Sequence, residues 1–313
     1  MVTTGDGHND RGGSPHLDGS THPGGNGSSG TTAGGTKPAT VRIAAVGDVH
    51  CAADGRGTLK PLFQRIAAAA DVLVLCGDLT DYGLPEEAHV LAGELAAAKL
   101  PTLAVMGNHE FHSNQQDEVR KVLEGQAGVT FIDGDAKEVC GIGFAGAKGF
   151  GGGFGRGTLG AWGEPAVKAF VQEAIDEAMK LEAALARLRT PRRIAVLHYA
   201  PIKATVEGEP VEIFPWLGCS RLEEPINRYP VAAVVHGHAH NGTPEGRTGG
   251  GVPVYNVALP LMRKSYPDHP PFRLLEVPVN PDAPADARGG PSATQAAADD
   301  AALGHAPVQT TVR

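Results

Sequence analysis

Five short polar segments between residues 47 and 240 contain the side chains of this sequence that are best suited to chemistry. They are Gly47-Asp48-Val49-His50, Gly77-Asp78-Leu79-Thr80-Asp81, Gly107-Asn108-His109-Glu110, Leu197-His198 and Gly237-His238-Ala239-His240. Carboxylate, amide and imidazole groups without thiolates suit manganese, iron, zinc, cobalt or nickel ions. One such segment is typical of an ordinary loop. Five of them, nearly all directly after apolar runs, predict a site for two divalent cations.

The spacing of these side chains favours some of them as neighbours. Asp48 and His50 lie two residues apart, so both point to the same side of an extended segment. His238 and His240 repeat that spacing, and His236 has it as well. Spacing alone therefore leaves open which two of these three histidines are metal ligands.

Short apolar runs alternate with helical patterns in the middle of the chain. The predicted strands are residues 41–46, 72–76, 102–106, 194–197, 231–235, 252–257 and 272–277. The predicted helices are residues 58–70, with Thr58 as the N-terminal cap, 85–98 and 165–189. Continuous β-branched and leucine-rich runs are typical of strands buried on both faces of a sheet. The alternation of strands and helices predicts an α/β protein.

Nearly every polar segment begins where a predicted strand ends. In α/β sheets, ligand sites form at the carboxyl ends of the strands, where loops from several strands converge. We therefore expect residues that are far apart in the sequence to meet in one cleft.

Composition sets the limits of the domain and of its partners. Residues 1–40 and 279–313 lack hydrophobic periodicity, which predicts disordered tails around one domain at residues 41–278. A net charge of −8 argues against dedicated nucleic-acid binding. No apolar run approaches the roughly 18 residues of a membrane span. Four widely spaced cysteines without a CxxC pair predict no disulfide framework and a cytoplasmic location.

Taken together, the motifs resemble those of the calcineurin-like metallophosphoesterase superfamily. The shared pattern is Asp-x-His, Gly-Asp, Gly-Asn-His-Glu, a single His and Gly-His-x-His, and every part of it occurs in order between residues 47 and 240. The resemblance implies a two-layered β-sandwich flanked by helices. The alternation of strands and helices is consistent with that fold but does not separate it from a single doubly wound sheet.

The resemblance also implies a role for each polar side chain. One cation would be bound by Asp48, His50, Asp78 and His240. Asp78 would bridge to a second cation, whose other ligands would be Asn108, His198 and His238. His236 would then lie at the end of a strand or orient a neighbouring residue.

The chemistry implied by the resemblance is phosphoester hydrolysis at two divalent ions of manganese, iron, zinc or cobalt. A hydroxide that bridges the two ions would attack phosphorus in line. His109 would protonate the leaving oxygen or stabilise the phosphoryl charge. Asp81 matches a carboxylate that orients this histidine in the Ser/Thr phosphatase branch, and its alternative role is that of a turn residue before Gly83.

The substrate is left open by the motifs. A small phosphomonoester or phosphodiester is the favoured partner, because Tyr82 stands where the Ser/Thr phosphatases carry an arginine. The alternatives are a phosphoprotein phosphatase and a non-catalytic metal-binding scaffold. The glycine-rich segment 148–157 is either a lid that brings Lys148 or Arg156 to a substrate phosphate or a flexible connection into the next helix.

Overall fold

The computed structural model describes residues 40–279 and 308–311. Its strands are β1 (Thr40–Val46), β2 (Val72–Cys76), β3 (Thr102–Val105), β4 (Thr130–Phe131), β5 (Ala136–Val139), β6 (Ile142–Ala147), β7 (Arg193–Leu197), β8 (Val231–His236), β9 (Glu245–Arg247), β10 (Pro253–Asn256), β11 (Arg273–Pro278) and β12 (Val308–Thr311). They form two six-stranded sheets. The first sheet has the order β12-β11-β1-β2-β3-β4, and the second has the order β5-β6-β7-β8-β10-β9.

The central strands of each sheet run parallel. In the first sheet β1, β2, β3 and β4 pair in parallel, and in the second sheet β6, β7, β8 and β10 do so. Antiparallel β5 and β9 form the edges of the second sheet. The carboxyl ends of neighbouring parallel strands therefore lie at the same edge of their sheet.

The two sheets pack face to face. Ile43 and Ala45 of β1 face the second sheet and belong to the core that includes Phe144, Val196 and Val235. The alternate residues of β1 belong to a second core under the helices of the first sheet. Both faces of these strands are buried, which explains their continuous apolar sequence. The structure confirms the predicted α/β sandwich.

Helices cover the outer face of each sheet. They are α1 (Lys60–Ala69), α2 (Pro85–Leu95), α3 (Gln116–Ala127), α4 (Pro165–Arg187), α5 (Phe214–Leu217), α6 (Glu223–Arg228) and α7 (Leu259–Ser265). The core on the outer face of the first sheet contains side chains of α1, α2 and α3. Leu181 and Leu185 of α4 pack against the outer face of the second sheet. None of the helices within residues 40–279 has the length and hydropathy of a membrane span.

The start of α1 differs from its prediction. Leu59, rather than Thr58, is the N-cap residue, and it provides no side-chain cap. Instead, the buried carboxylate of Glu94 on α2 accepts hydrogen bonds from the backbone N–H groups of Gly57, Leu59 and Lys60. The Glu94 carboxylate, from a distant part of the sequence, accepts hydrogen bonds from the free N–H groups at the start of α1. It therefore takes the place of a side-chain cap from the neighbouring residues.

Four residues of the segment predicted to be a C-terminal tail also differ from prediction. Residues 308–311 form β12, which pairs in parallel with β11, and the Arg273 guanidinium donates a hydrogen bond to the Thr310 hydroxyl at 2.9 Å. The strand covers the edge of the first sheet that β11 would otherwise expose. Of the predicted tails at residues 1–40 and 279–313, residues 1–39, 280–307 and 312–313 lie outside the described residues, and Thr40 belongs to β1.

Candidate metal centre

The five polar motifs all follow strands, and their side chains meet at one edge of the sandwich. Asp48 comes two residues after β1, Asp78 two after β2 and Asn108 three after β3, so the first sheet supplies these side chains. His198 follows β7 directly and His238 comes two residues after β8, so the second sheet supplies these two. The convergence expected from the sequence is confirmed.

The backbone at this edge is strained. Asp48, His50, Asp78 and His238 have φ angles of 55°, 42°, 48° and 71°, in the left-handed region that is unfavourable for residues other than glycine. Such residues cost about 1–3 kcal/mol each and tend to cluster at functional sites. Backbone hydrogen bonds hold the loops in place, with His50 N–H donating to the Asp78 carbonyl at 3.0 Å.

Two glycines let these loops approach one another. A Cβ atom at Gly107 would collide with the carboxylate of Asp78, and a Cβ atom at Gly237 would collide with that of Asp48. Glycine is therefore required by close packing against the two carboxylates, independently of any turn geometry.

Asp48, His50 and His240 form a first group of potential ligands, with donor atoms all within 4.8 Å of one another. His240 Nε2 lies 3.0 Å from Asp48 Oδ1 and 3.5 Å from His50 Nε2. Two imidazole nitrogens at that distance repel each other unless a proton or a cation lies between them.

Asp78, His198 and His238 form a second group with the same closeness. Asn108 joins it, because its Oδ1 lies 3.0 Å from His198 Nε2. Main-chain carbonyls contact the other ring nitrogens of the histidines. His198 Nδ1 lies 2.9 Å from the Cys76 oxygen, and His238 Nε2 lies 3.1 Å from the Trp216 oxygen. Such partners fix the tautomer and the orientation of metal-binding imidazoles.

Asp78 stands between the two groups. Its Oδ1 lies 3.4 Å from His198 Nε2 in the second group, and its Oδ2 lies 3.9 Å from His50 Nε2 in the first. The two oxygens of one carboxylate thus face different sets of imidazoles. This is the arrangement that a carboxylate shared by two cations requires.

The charges at the site fit divalent cations. Asp48 and Asp78 are each 1% exposed, and the ion pairs that the described residues form with them involve only histidines. Burial raises the pKa of Asp48, against the opposing effect of its hydrogen bond with His240, and that same bond raises the pKa of His240. Burial lowers the pKa of His238 to about 4, which favours the neutral ligand form. Buried carboxylates need compensating positive charge, and neutral imidazoles with carboxylate and amide oxygens are good donors for it.

His109 and Asp81 lie beside both groups. The Nδ1 atom of His109 lies 2.5 Å from the main-chain oxygen of Asp81, and its Nε2 lies 3.8 Å from Asp78 Oδ2. The carboxylate of Asp81 faces a different ring, because its Oδ1 lies 3.6 Å from His50 Nδ1. The predicted proximity of Asp81 and His109 therefore involves the backbone carbonyl of Asp81 rather than its side chain.

Glu110 was part of the recognised motif but had no predicted role. Its fully buried carboxylate accepts backbone hydrogen bonds from Leu79, Thr80 and Gly107 and a further one from the Thr80 hydroxyl. Burial and the charge of Asp78 raise its pKa to about 7, while the bonds from Thr80 and Gly107 act in the opposite direction. Glu110 joins the loop that carries Asp78 to the loop that carries Asn108.

Three other residues singled out from the sequence belong to neither group. His236 is buried, with Nε2 2.8 Å from the Thr205 hydroxyl oxygen and Nδ1 2.8 Å from the Gly237 oxygen, so both its nitrogens are occupied. Lys148 donates to the Gly149 carbonyl and lies over the ring of Phe150. Arg156 lines a cavity of about 600 Å³.

The chain matches a protein-family model and is similar to several solved structures. The family model described as calcineurin-like phosphoesterase matches residues 41–242. The solved structures similar to this chain include TT1561 of Thermus thermophilus, at 18% identity and a TM-score of 0.47, with 71% of this chain and 91% of that one covered. They also include GAP50, the anchor in the inner membrane complex of Plasmodium, at 13% identity and a TM-score of 0.46, with 72% and 73% covered. No protein of curated function matches the chain. From the extent of the family match, the chain belongs to the calcineurin-like phosphoesterase family.

Proposed function

We propose that this protein hydrolyses small phosphomonoesters or phosphodiesters with two divalent cations bound at the candidate metal centre. One cation would be held by Asp48, His50, Asp78 and His240, and the other by Asp78, Asn108, His198 and His238. Manganese, iron, zinc and cobalt all suit this donor set. Two such cations activate water and neutralise the charge on a phosphoryl group.

The observation that carries this proposal is the position of Asp78. Its carboxylate faces His198 on one side and His50 on the other, and its backbone is held in a left-handed conformation to do so. A purely structural role for the Asp78 side chain would not explain why imidazoles from two different sheets lie on its two sides. We infer that the strain is maintained because the site binds a pair of cations.

His109 is the proposed proton donor to the leaving oxygen. Its Nδ1–H donates to the Asp81 carbonyl, so Nε2 is the nitrogen directed toward Asp78 and the cluster. Its side chain is 27% exposed, so a substrate can reach it. A general acid of this kind contributes about 10²–10⁴-fold to turnover.

The test of this role is His109→Ala in the metal-loaded protein. We expect kcat for an aryl phosphate to fall by about 10²–10⁴-fold, while elemental analysis still finds the metal content of the wild type. The matched control is His89→Ala, because His89 is an exposed histidine on α2 that contacts Gln126. Wild-type turnover in His109→Ala would remove this residue from the mechanism.

The substrate class is tested with a panel. Aryl phosphomonoester, aryl phosphodiester, a cyclic nucleotide and a phosphopeptide should be compared at equal concentration. We expect one of the first three to be the best substrate, and a preference for the phosphopeptide would favour the phosphoprotein phosphatase alternative. Hydrolysis of none of them by protein that carries both cations would favour the non-catalytic scaffold.

Arg156 and Lys148 remain predicted contacts to the substrate. Arg156 is the stronger candidate, because it is exposed and lines a cavity together with Lys203 and Phe214. The Lys148 side chain is only 12% exposed, and its ammonium already lies 3.9 Å from the Glu173 carboxylate. A cytoplasmic location and the absence of a nucleic-acid partner also remain predictions from composition.

A further inference from the structure

Asp81 presents two different oxygen atoms to two different histidines. Its main-chain carbonyl lies 2.5 Å from His109 Nδ1, and its side-chain Oδ1 lies 3.6 Å from His50 Nδ1. A backbone carbonyl is present whatever side chain occupies the position. The orientation of His109 therefore does not need an aspartate at residue 81, and the carboxylate needs another explanation.

His50 has one ring nitrogen directed at the metal centre and one directed away from it. Its Nε2 lies 3.5 Å from His240 Nε2 and 3.9 Å from Asp78 Oδ2. Its Nδ1 is buried and makes no hydrogen bond within the described part of the chain. Edge-to-face contact with the His109 ring, at 4.4 Å between centroids, limits rotation of the imidazole. The acidic group that faces this unsatisfied nitrogen is the Asp81 carboxylate.

The backbone keeps the two side chains together. His50 N–H donates to the Asp78 carbonyl, Cys51 N–H donates to the Leu79 carbonyl and Asp81 N–H donates to the Cys51 carbonyl, at 3.0, 3.0 and 3.3 Å. These bonds join the loop after β1 to the loop after β2. The fold therefore holds the main chain of Asp81 beside His50.

We propose that the Asp81 carboxylate is a positioning group for His50. A short approach from the present 3.6 Å would let its Oδ1 accept a hydrogen bond from Nδ1–H, which would hold the tautomer in which Nε2 is available to the cation bound by Asp48, His50 and His240. Metal-binding histidines commonly donate their second N–H to a carboxylate, and loss of that partner typically weakens metal affinity about 10–100-fold. The inference rests on the proposed two-cation function, and it assigns Asp81 to metal affinity rather than to proton transfer through His109.

Two substitutions separate this role from a general structural one. In Asp81→Asn, the amide oxygen still accepts a hydrogen bond but carries no charge. In Asp81→Ala, His50 Nδ1 has no side-chain acceptor at that position. We therefore expect the affinity of one cation site to decrease in the order wild type, Asp81→Asn, Asp81→Ala, with about a 10–100-fold loss for alanine, and the affinity of the other site to stay within about threefold.

The experiment is calorimetric titration of the metal-free chain of 313 residues with Mn²⁺, followed by measurement of the turnover of an aryl phosphate as a function of Mn²⁺ concentration. Excess Mn²⁺ should restore most of the turnover of Asp81→Ala, but not that of His109→Ala. Asp54→Ala is the matched control, because Asp54 is an exposed carboxylate four residues after His50. We expect it to bind Mn²⁺ like the wild type.

Three results would overturn the inference. Asp81→Ala with two unchanged Mn²⁺ affinities would show that the carboxylate does not position His50. Turnover that stays low in excess Mn²⁺, with normal affinities, would assign Asp81 to His109. A wild type that binds no Mn²⁺ would overturn this inference and the proposed function together, whereas a wild type that binds two ions but hydrolyses nothing would overturn the function alone.

Discussion

At the scale of single residues, the site shows how far side-chain identity determines a role. The motif residues at 48, 78, 108 and 198 could be predicted as neighbours, because carboxylates, amides and imidazoles after buried strands have a recognisable pattern. The carbonyl oxygens of Cys76, Asp81 and Trp216, which contact His198, His109 and His238, could not. Every residue has a backbone carbonyl, so its position follows only from the folded chain. The Asp81 carboxylate lies 3.6 Å from His50 Nδ1, and its role in orienting His109 stays a prediction.

Asp133 gives a residue-scale prediction about pH. Its partly buried carboxylate accepts a hydrogen bond from Met106 N–H at 3.1 Å, close to the loop that carries Asn108. Burial raises the pKa of Asp133 to about 7, against the opposing effect of this bond. Asp133 loses its proton at a lower pH in the unfolded chain than in the folded one. Its contribution therefore lowers the free energy of unfolding as the pH rises from about 4 to about 7, and this contribution stays constant above about pH 7.

Asp133→Asn should remove this pH dependence, because the amide oxygen can still accept the Met106 bond. Between pH 4.5 and pH 8, we expect the free energy of unfolding of the variant to increase by about 2 kcal/mol relative to that of the wild type. This is roughly half of the free energy that corresponds to a pKa shift of about three units, because the side chain is partly exposed. Urea unfolding at the two pH values measures it. Asp268→Asn, at an exposed position, serves as the control. An equal difference between variant and wild type at both pH values would contradict the prediction.

At the scale of secondary-structure elements, a strand or helix could be predicted when its local sequence has a clear pattern of buried apolar residues. The strand at Val72–Cys76 was predicted with its full bounds, because all five of its residues are apolar and buried. β6 was not predicted, because Gly143 and Gly146 interrupt its apolar pattern. A Cβ atom at Gly146 would lie 2.6 Å from the Ile132 carbonyl oxygen, so tertiary packing imposes this glycine. α3 was also missed, because Val119 and Leu123 are its only fully buried residues.

The N-terminus of α1 provides a prediction at this scale. Glu94 reaches from α2 to accept three backbone N–H groups around the first turn of α1, whereas the Thr58 hydroxyl donates to the Gly55 carbonyl and caps nothing. Glu94→Ala should lower the free energy of unfolding by about 1–3 kcal/mol, because buried donors lose their acceptor. Thr58→Ala should cost less than about 0.5 kcal/mol. Chemical unfolding measures the free energy of unfolding of both variants. A larger decrease for Thr58→Ala than for Glu94→Ala would support Thr58 as the helix cap, as predicted from the sequence.

At the scale of the whole molecule, the site depends on both sheets. The first group takes Asp48 and His50 from the first sheet and His240 from the second. The second group takes Asp78 from the first sheet and His198 and His238 from the second. The apolar runs of the sequence indicated strands buried on both faces, but not what each face packs against. The sandwich was therefore expected from resemblance to a family and not from periodicity.

The central claim is that this edge of the sandwich holds two cations around Asp78. The most direct test is elemental analysis of protein equilibrated with Mn²⁺ and then desalted, for the wild type and for Asp78→Asn. We expect about two ions per wild-type chain. In Asp78→Asn we expect at least one of them to be lost, because a neutral amide is a poor bridge between two cations. A wild type with no stoichiometric ion, or an Asp78→Asn protein that retains both, would contradict the claim.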